Sequence, residues 1–219
     1  MGLSVPFFSI IIPVYNREKY LKRALDSLTV QTFQNFEVII VDDASTDYSL
    51  EIAKKWEFPH KVIIENETNL ERCISRNKGI AKAKSEYICF LDSDDYHLPN
   101  HLETLYREIK ALAYPKAFFF TNAWNGIEGK LKKRICPKLN KKNIYYYLLT
   151  YTPNPQRWAV HKSLFDKIDF DAAIPGLEDL DLLLRSVKHI TFYQIEERTT
   201  VYVQHNESYT LSSSRALKE

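Results

Sequence analysis

Two short clusters of aspartates contain the side chains that a divalent cation site requires. The first is the pair Asp42–Asp43, and the second is the group Asp92, Asp94 and Asp95. Carboxylates packed this closely repel one another, and a fold tolerates them when a divalent cation or hydrogen-bond donors occupy the site. Oxygen ligands suit Mg²⁺ or Mn²⁺, and such a cation with open coordination positions would hold a diphosphate. The alternative is that each cluster is a polar turn that caps the following helix.

Buried strands and amphipathic helices alternate through the first half of the chain. The strands are predicted at 8–14, 37–41, 61–64 and 86–91. Apolar residues at helical spacing predict helices around 20–28, 50–56 and 74–83, and Pro99 opens a fourth helix towards Ala113. This alternation predicts an α/β fold with a largely parallel central sheet flanked by helices. Both aspartate clusters then lie at the carboxyl edge of the sheet, where open α/β sheets bind ligands.

The second half of the chain has a less regular pattern. Strands are predicted at 118–121, 157–161, 190–195 and 199–203, and a helix is predicted at 178–188. Ser45, Thr46 and Asp47 in the first half are candidate helix caps. No repeat or low-complexity linker divides the sequence, so we predict a single domain over 1–219 with a frayed tail at 208–219.

Composition excludes several classes of protein. With 45% hydrophobic and 26% charged residues, the chain has the balance of a globular protein. It contains no GxGxxG or GxxxxGK[ST] motif, no apolar run of the roughly 18 residues that span a bilayer, and no recognisable signal peptide. Its three cysteines are widely spaced, which favours a reducing cytoplasm over a disulfide framework or a zinc site.

Positive charge is concentrated in one segment, 130–142, which has seven lysine or arginine residues and no acidic residue. Because the net charge of the whole chain is only +2, the remainder is net acidic, and a general nucleic-acid binder is not expected. The segment is either a solvated face or a peripheral contact with an anionic membrane surface or a pyrophosphate-linked lipid.

Four motifs in a fixed order resemble the pattern of glycosyltransferase family 2. They are Ser9–Asn16 (SIIIPVYN), Val41–Asp47 (VDDASTD), Ser75–Gly79 (SRNKG) and Phe90–Asp95 (FLDSDD). The similarity is dense from about residue 8 to 100 and returns at Glu178–Asp179. It implies the GT-A fold and an inverting enzyme of the bacterial polysaccharide or glycan type. It also implies a nucleotide-sugar-binding half at 8–114 and an acceptor-binding half at 115–207.

The resemblance implies a role for each matching residue on the donor side. Pro13 and Tyr15 would flank the nucleotide base, and Asp43 would contact the base or ribose of a nucleotide-sugar that is typically UDP-linked. Asp92 and Ser93 would also belong to this nucleotide-sugar-binding set, with Asp92 approaching the ribose and the sugar.

The remaining roles concern the diphosphate and the reaction. By the same resemblance, Arg76 would lie near the diphosphate or orient the acidic loop, and Asp94 would hold Mn²⁺ or Mg²⁺. His205 resembles a family histidine that approaches the metal or the diphosphate. Asp179 would be the general base that takes the proton from an acceptor hydroxyl.

One position departs from the family pattern. Members often carry a glycine after the asparagine that precedes the Arg-Asn motif, whereas this chain reads Asn69-Leu-Glu-Arg72. The local loop and the role of Arg72 therefore do not follow from the resemblance.

Two other functions are consistent with the same residues. One is a sugar-nucleotide nucleotidyltransferase, which would usually show a glycine-rich loop where this chain has Pro13–Asn16. The other is a catalytically silent nucleotide-sugar-binding module. The expected partners are a nucleotide-sugar donor and a glycan or lipid-linked acceptor, in the cytoplasm or at the inner face of the membrane. The sequence leaves the donor sugar, the acceptor and the oligomeric state open.

Overall fold

The computed structural model describes residues 5–127, 129–174 and 176–205 of the protein. Strands and helices alternate through the first part, as the pattern predicts, with small shifts at their ends. These elements are β1 (Phe8–Val14), α1 (Glu18–Thr29), β2 (Phe36–Asp42), α2 (Ser49–Lys55), β3 (Lys61–Glu65), α3 (Glu71–Lys82) and β4 (Tyr87–Phe90).

The first four strands are parallel and stand in the order β3-β2-β1-β4. Burial of β1, β2 and β4 along nearly their whole length explains why their sequences are continuously apolar. The chain runs outward from β1 to β3 and then returns to the other side of β1. The loops that follow β1 and β4 therefore diverge and open a crevice at the carboxyl edge of the sheet.

The second part of the chain extends the same sheet. Its elements are β5 (Tyr96–His97), α4 (His101–Ala111), β6 (Ala117–Ile127), β7 (Lys130–Lys133), α5 (Ile144–Thr150), β8 (Trp158–His161), α6 (Glu178–Ser186) and β9 (Thr191–Val203). The strand order continues β4-β8-β6-β9-β5, with β7 paired to β6. Since β8 is antiparallel to both β4 and β6, the complete sheet is mixed, and the predicted parallel arrangement is concentrated in β1–β4.

The two last predicted strands, 190–195 and 199–203, form one continuous strand, β9. The charged stretch 196–198 interrupts the apolar pattern, which is why the sequence predicts a break. Pairing with β6 passes through this stretch because the register shifts at Asn122, whose side chain donates to the carbonyl of Glu196 at 2.9 Å. The irregularity is a β-bulge.

Helices cover both faces of the sheet because successive side chains of a strand point to opposite faces. Ile10 and Ile12 of β1 pack with α1, α2 and α4, whereas Ile11 packs with α3, α5 and α6. Helix α3 lies especially close to the sheet: a Cβ on Gly79 would stand 2.4 Å from Cγ2 of Ile11. Glycine therefore permits the close approach of the helix that carries Arg76.

Trp158 and Tyr147 are core residues, whereas Tyr145 and Tyr146 are exposed. The predicted tail at 208–219 lies outside the described residues. Among the described helices, none combines the length and the apolar character needed to cross a bilayer.

Candidate active site

A cleft of about 240 Å³ opens at the carboxyl edge of the parallel strands. The loops after β1, β2 and β4 form one side, and the starts of α3 and α6 and the turn at 154–155 complete it. It brings together eight of the nine residues that the sequence singles out: Pro13, Tyr15, Asp43, Arg76, Asp92, Ser93, Asp94 and Asp179. The ninth, His205, contacts Asp94 directly.

The loops after β1 and β2 are tied together beneath the exposed Tyr15. Asn16, at φ 51°, donates its backbone N–H to Oγ of Ser45 and accepts from the N–H of Thr46 at 2.8 Å. The positive φ is tolerated at this position because asparagine adopts the left-handed region more readily than most residues. The pairing fixes the loop that presents Pro13 and Tyr15 to the cleft.

Asp47 caps two helices at once. Its carboxylate accepts the N–H of Glu18 at the start of α1 at 3.0 Å and the N–H of Ser49 at the start of α2 at 2.9 Å. Burial alone would raise the pKa of Asp47, but the hydrogen bonds from Ser49 and Glu18 prevail and lower it. The predicted cap is thus present, and Asp43 is not needed for that task.

Asp43 and its neighbour Asp42 have different surroundings. Oδ1 of Asp43 accepts hydrogen bonds from Nδ2 of Asn66 at 2.7 Å and from the N–H of Leu70 at 2.9 Å, at the wall of the cleft. Asp42 instead accepts the N–H of Ser45 at 3.1 Å. The structure therefore places only the second aspartate of the pair at the cleft.

Arg76 joins the acidic loop to the start of α6. Its buried guanidinium donates to Oδ1 of Asp92 at 2.9 Å and to Oε1 of Glu178 at 3.2 Å, and it lies over the ring of Phe170. Burial would lower the pKa of Arg76, yet Asp92 and Glu178 outweigh burial and raise it. The side chain is therefore a permanent cation that holds two walls of the cleft in register.

The residues beside Arg76 fasten α3 to its surroundings. Asn77 makes two hydrogen bonds to the backbone of Phe170, at 2.8 and 3.1 Å. Lys78 and Ser75 both contact the side chain of Asn66, which in turn holds Asp43. The Ser75–Gly79 motif therefore positions the cleft from behind as well as contributing Arg76 to it.

The three aspartates of the second cluster have three different partners. Asp92 pairs with Arg76, and Asp94 pairs with His205. Asp95 is buried and accepts hydrogen bonds from Nε2 of Gln156 at 2.7 Å and the N–H of Val203 at 2.8 Å. Burial, reinforced by the charges of Asp94 and Asp92, raises the pKa of Asp95. Asp95 thus anchors the acidic loop to β9, a role that sequence reasoning did not assign.

Asp94 and His205 fit a site for a divalent cation that is completed by a substrate. Oδ2 of Asp94 lies 3.0 Å from Nε2 of His205, whose ring stacks on Tyr20 at 4.1 Å. Across residues 5–127, 129–174 and 176–205, no three His, Cys, Asp or Glu side chains converge as a metal site. Mg²⁺ commonly takes only one or two protein ligands and fills its other positions with phosphate oxygens and water. Two protein ligands are therefore compatible with an ion that binds together with a diphosphate.

Asp179 occupies the first turn of α6 and is half-buried at the cleft. Its Oδ1 accepts the N–H of Leu180 at 2.8 Å. Burial, with the adjacent charge of Glu178, raises the pKa of Asp179 above its ordinary value of 3.8. A carboxylate with a raised pKa is a stronger base at neutral pH.

Sequence reasoning assigns no role to three residues that the structure places at the cleft. Nε of Arg17 lies 3.8 Å from Oδ2 of Asp94, and Nε of Arg72 lies 3.6 Å from Glu178. Oδ1 of Asn154 is buried at the cleft without a hydrogen-bond partner among the described residues. Arg17 and Asn154 lie outside the helices and strands, and Arg72 lies in the first turn of α3. A single arginine or asparagine in such a place has no spacing that would reveal it, so only the folded arrangement identifies these side chains.

Comparison with known proteins assigns the family. The family model for glycosyl transferase family 2 matches residues 9–168. The chain belongs to this family. A glycosyltransferase of Haemophilus influenzae, whose function is uncharacterized, is 31% identical over 215 residues, which cover 94% of this chain and 71% of that protein. WcaA of Escherichia coli, which is provisionally assigned as a colanic acid biosynthesis glycosyl transferase, is 29% identical over 219 residues, which cover 96% of this chain and 77% of that protein.

The structural comparison confirms the GT-A fold. Residues 1–349 of TarS from S. aureus, in complex with UDP-GlcNAc, superimpose with a TM-score of 0.77 at 25% identity, covering 94% of this chain and 60% of that one. The same TarS fragment has also been solved in complex with UDP, and there the TM-score is 0.74. Some other curated relatives are much longer than this chain, and the matched residues cover as little as 15% of their length. Membership of a glycosyltransferase family decides against the nucleotidyltransferase alternative.

Proposed function

We propose that the protein transfers one sugar, with inversion, from a UDP-linked donor to an acceptor hydroxyl. The observation that carries this proposal is the double hydrogen bond of Arg76 to Asp92 and Glu178. It ties the loop of the predicted metal ligand Asp94 to the helix turn of the predicted base Asp179. Both groups that an inverting transfer requires thus border one cleft.

The proposed binding of the donor rests on the side of the cleft that the loops after β1 and β2 form. Tyr15 is 42% exposed and offers a ring face to a nucleotide base, with Pro13 beside it. Asp43 offers a carboxylate to the base or ribose. The UDP and UDP-GlcNAc complexes of TarS support a UDP-linked donor for this chain.

The proposed reaction is a single displacement at the anomeric carbon. Asp179 takes the proton of the acceptor hydroxyl while the acceptor oxygen forms its bond to that carbon. The bond from the anomeric carbon to the diphosphate oxygen breaks, and its electron pair leaves with the nucleoside diphosphate. No covalent intermediate on the protein is required.

The departing diphosphate gains negative charge, and the chain supplies cations where this charge develops. Arg17 reaches the Asp94 side of the cleft, and the buried Arg76 stands behind Asp92. A divalent cation held by Asp94 and His205 would neutralise the leaving diphosphate. Asp92 and Glu178 raise the pKa of Arg76, so this arginine remains charged and does not compete for the proton that Asp179 accepts.

The acceptor is proposed to be a glycan or a lipid-linked glycan. The name of WcaA, a colanic acid biosynthesis enzyme, supports a role in polysaccharide assembly. Asn154, with an unpartnered oxygen at the cleft, is available to bind a hydroxyl of the transferred sugar or the acceptor.

A ligand screen tests the proposal and separates it from a catalytically silent module. Purified protein is heated with UDP-, GDP- and dTDP-sugars, each with and without Mn²⁺, and the stabilising donor is then incubated alone to measure release of the nucleotide. At 100-fold excess over Kd a ligand stabilises the native state by about 2.7 kcal/mol. We expect a UDP-sugar to stabilise most and to be slowly hydrolysed. Stabilisation by a donor that releases no nucleotide, either alone or together with acceptor mixtures, would favour the silent module. Preference for another nucleotide would refute the UDP assignment.

A further inference from the structure

A basic surface lies on the acceptor half of the protein. Residues 130–142 hold seven basic side chains and no acid. Six of these side chains are exposed: Lys130, Lys132, Lys133, Lys138, Lys141 and Lys142. Three of the lysines lie on the edge strand β7, where every residue is exposed. None of these lysines lines the cleft of the candidate active site.

Exposed apolar side chains accompany this charge. Of the twelve large hydrophobic residues that are exposed in the described part of the chain, five fall within 131–149. Ile135 is 87% exposed, and Tyr146 and Leu149 of α5 are 63% and 61% exposed. On the same helix Tyr147 and Leu148 are buried in the core, so α5 is apolar on its outer as well as its inner face.

Hydrogen bonds hold this segment against the body of the protein. The hydroxyl of Tyr147 donates to the carbonyl of Pro137 at 3.2 Å, and the N–H of Leu139 donates to Oε1 of Gln194 at 2.6 Å. The segment is thus folded against the body of the protein, and we call its exposed lysines and apolar side chains the 130–149 surface.

The 130–149 surface continues to the rim of the cleft. The guanidinium of Arg134 lies over the ring of Tyr202, 5.0 Å from its centroid, and Tyr202 lines the cleft. Whatever binds this surface is therefore held next to the opening through which an acceptor would enter.

We propose that the 130–149 surface docks on a lipid bilayer that contains anionic lipids. Lysines are attracted to the negative headgroups, and exposed tyrosine, leucine and isoleucine side chains insert at the interface between headgroups and acyl chains. A soluble polyanion would be bound by the lysines alone and would leave Ile135, Tyr146 and Leu149 in water. The consequence for the acceptor, that it is presented from the membrane, rests on the proposed function; the docking itself does not.

Vesicle binding tests the docking without donor or acceptor. Sedimentation compares the full chain on vesicles of phosphatidylcholine with vesicles of phosphatidylcholine and phosphatidylglycerol in equal amounts, at low and high salt. One variant combines Lys130→Gln, Lys132→Gln and Lys133→Gln. Its matched control removes three exposed lysines from helices α2, α3 and α4, with Lys55→Gln, Lys82→Gln and Lys110→Gln. A second variant combines Tyr146→Ser and Leu149→Ser.

The expected result is preferential binding to the anionic vesicles that is weakened by salt. The β7 variant should lose at least about tenfold in partitioning, whereas its control should retain most of the binding. The Tyr146→Ser, Leu149→Ser variant should lose the binding that persists in high salt. Equal binding to both vesicle types, no binding, or equal losses in the variant and its control would overturn the proposal. The proposal would also be overturned if the protein bound soluble polyphosphate as tightly as it binds the anionic vesicles, and if the Tyr146 and Leu149 changes left that binding unaffected. UDP binding by the same samples is measured separately, so that failure of docking and failure of the proposed function are distinguished.

Discussion

The guanidinium of Arg76 donates to Oε1 of Glu178 at 3.2 Å, although 102 residues separate the two in sequence. Both side chains are buried, and the same guanidinium also holds Asp92. A buried ion pair of this kind contributes little net stability, because desolvation of the two charges offsets their attraction. Its more important consequence is geometric, since it sets the distance between the acidic loop and the turn that carries Asp179.

Removal of the Arg76 guanidinium, alone and together with Glu178, should separate its effect on stability from its effect on activity. Arg76→Met leaves the buried carboxylate of Glu178 without its closest partner and is expected to cost about 3–5 kcal/mol in the free energy of unfolding. The double variant Arg76→Met, Glu178→Leu removes both buried charges and should recover most of that loss. Denaturant unfolding measures the stabilities, and release of UDP measures the activity. We expect the double variant to remain inactive; normal turnover in a stable double variant would show that the bridge is not needed.

Asp179→Asn should abolish transfer without destabilising the protein. The pKa of Asp179 is raised by burial and by Glu178, so the folded state retains the proton to a higher pH than the unfolded chain does. Ionisation at neutral pH therefore costs stability, and asparagine removes that cost. We expect an equal or higher Tm at pH 7, and the gain should vanish below pH 3.8, where the carboxyl is protonated in both states.

The activity of the same variant tests the base. Loss of a general base lowers kcat by about 10²–10⁴-fold, and UDP affinity should be unchanged. In the wild-type enzyme the acidic limb of kcat should lie above the ordinary range of an aspartate. Turnover by Asp179→Asn that matches wild type would remove this residue from the mechanism.

Asp94 and His205 should act together in the gain of UDP affinity that a metal ion produces. Asp94→Asn and His205→Gln are each expected to reduce the gain in UDP affinity on addition of Mn²⁺ by about tenfold, which corresponds to ~1.4 kcal/mol. The double variant should lose little more than either single change, because the two side chains would bind one ion. Calorimetric titration of UDP with and without Mn²⁺ gives both affinities for each of the four proteins. A wild-type affinity that is independent of Mn²⁺ would contradict the proposed cation site.

The parallel half of the fold and the meeting of the two aspartate clusters at one edge of the sheet could be predicted because their signals are local. Continuous apolar runs predict buried strands, and the aspartates at 42–43 and 92–95 directly follow two of them. Strand order in a parallel sheet then brings the clusters to one edge. The approach of His205 to Asp94, across 111 residues, follows from no periodicity and came only from the family resemblance.

The parts that sequence reasoning missed depend on long-range packing. The break predicted in β9 reflects three charged residues, 196–198, that the bulge opposite Asn122 accommodates. Strand β5, at Tyr96–His97, is too short for any alternation to be recognised. Spacing groups Asp95 with Asp92 and Asp94, whereas its burial between Gln156 and Val203 gives it an anchoring role.

The stretch Asn69–Arg72, which departs from the family pattern, contains a residue with an unfavourable backbone conformation. Glu71 has φ 68°, in the left-handed region that favours glycine, and its N–H donates to Oδ1 of Asn69 at 3.0 Å. Glu71→Gly is expected to stabilise the protein by about 1 kcal/mol, since the left-handed conformation costs other residues roughly 1–2 kcal/mol. Glu71→Ala is the matched control, because it removes the same charge and retains the strain. Equal Tm values for the two variants would show that the charge, and not the backbone, determines the effect.

Arg17 should bind the diphosphate of the donor. Its Nε lies 3.8 Å from Oδ2 of Asp94, and its guanidinium donates to the carbonyl of Asn16 at 3.0 Å. It therefore lies beside the site proposed for the nucleotide base. Arg17→Ala is expected to weaken binding of UDP by about tenfold and to leave binding of uridine unchanged, because only UDP carries the charge that the guanidinium contacts. Arg23→Ala is a suitable control: Arg23 contacts the carbonyl of Asp94 but does not line the cleft, so the same charge is lost outside it. A matching loss for uridine would indicate that the loop, rather than the diphosphate contact, had been disturbed.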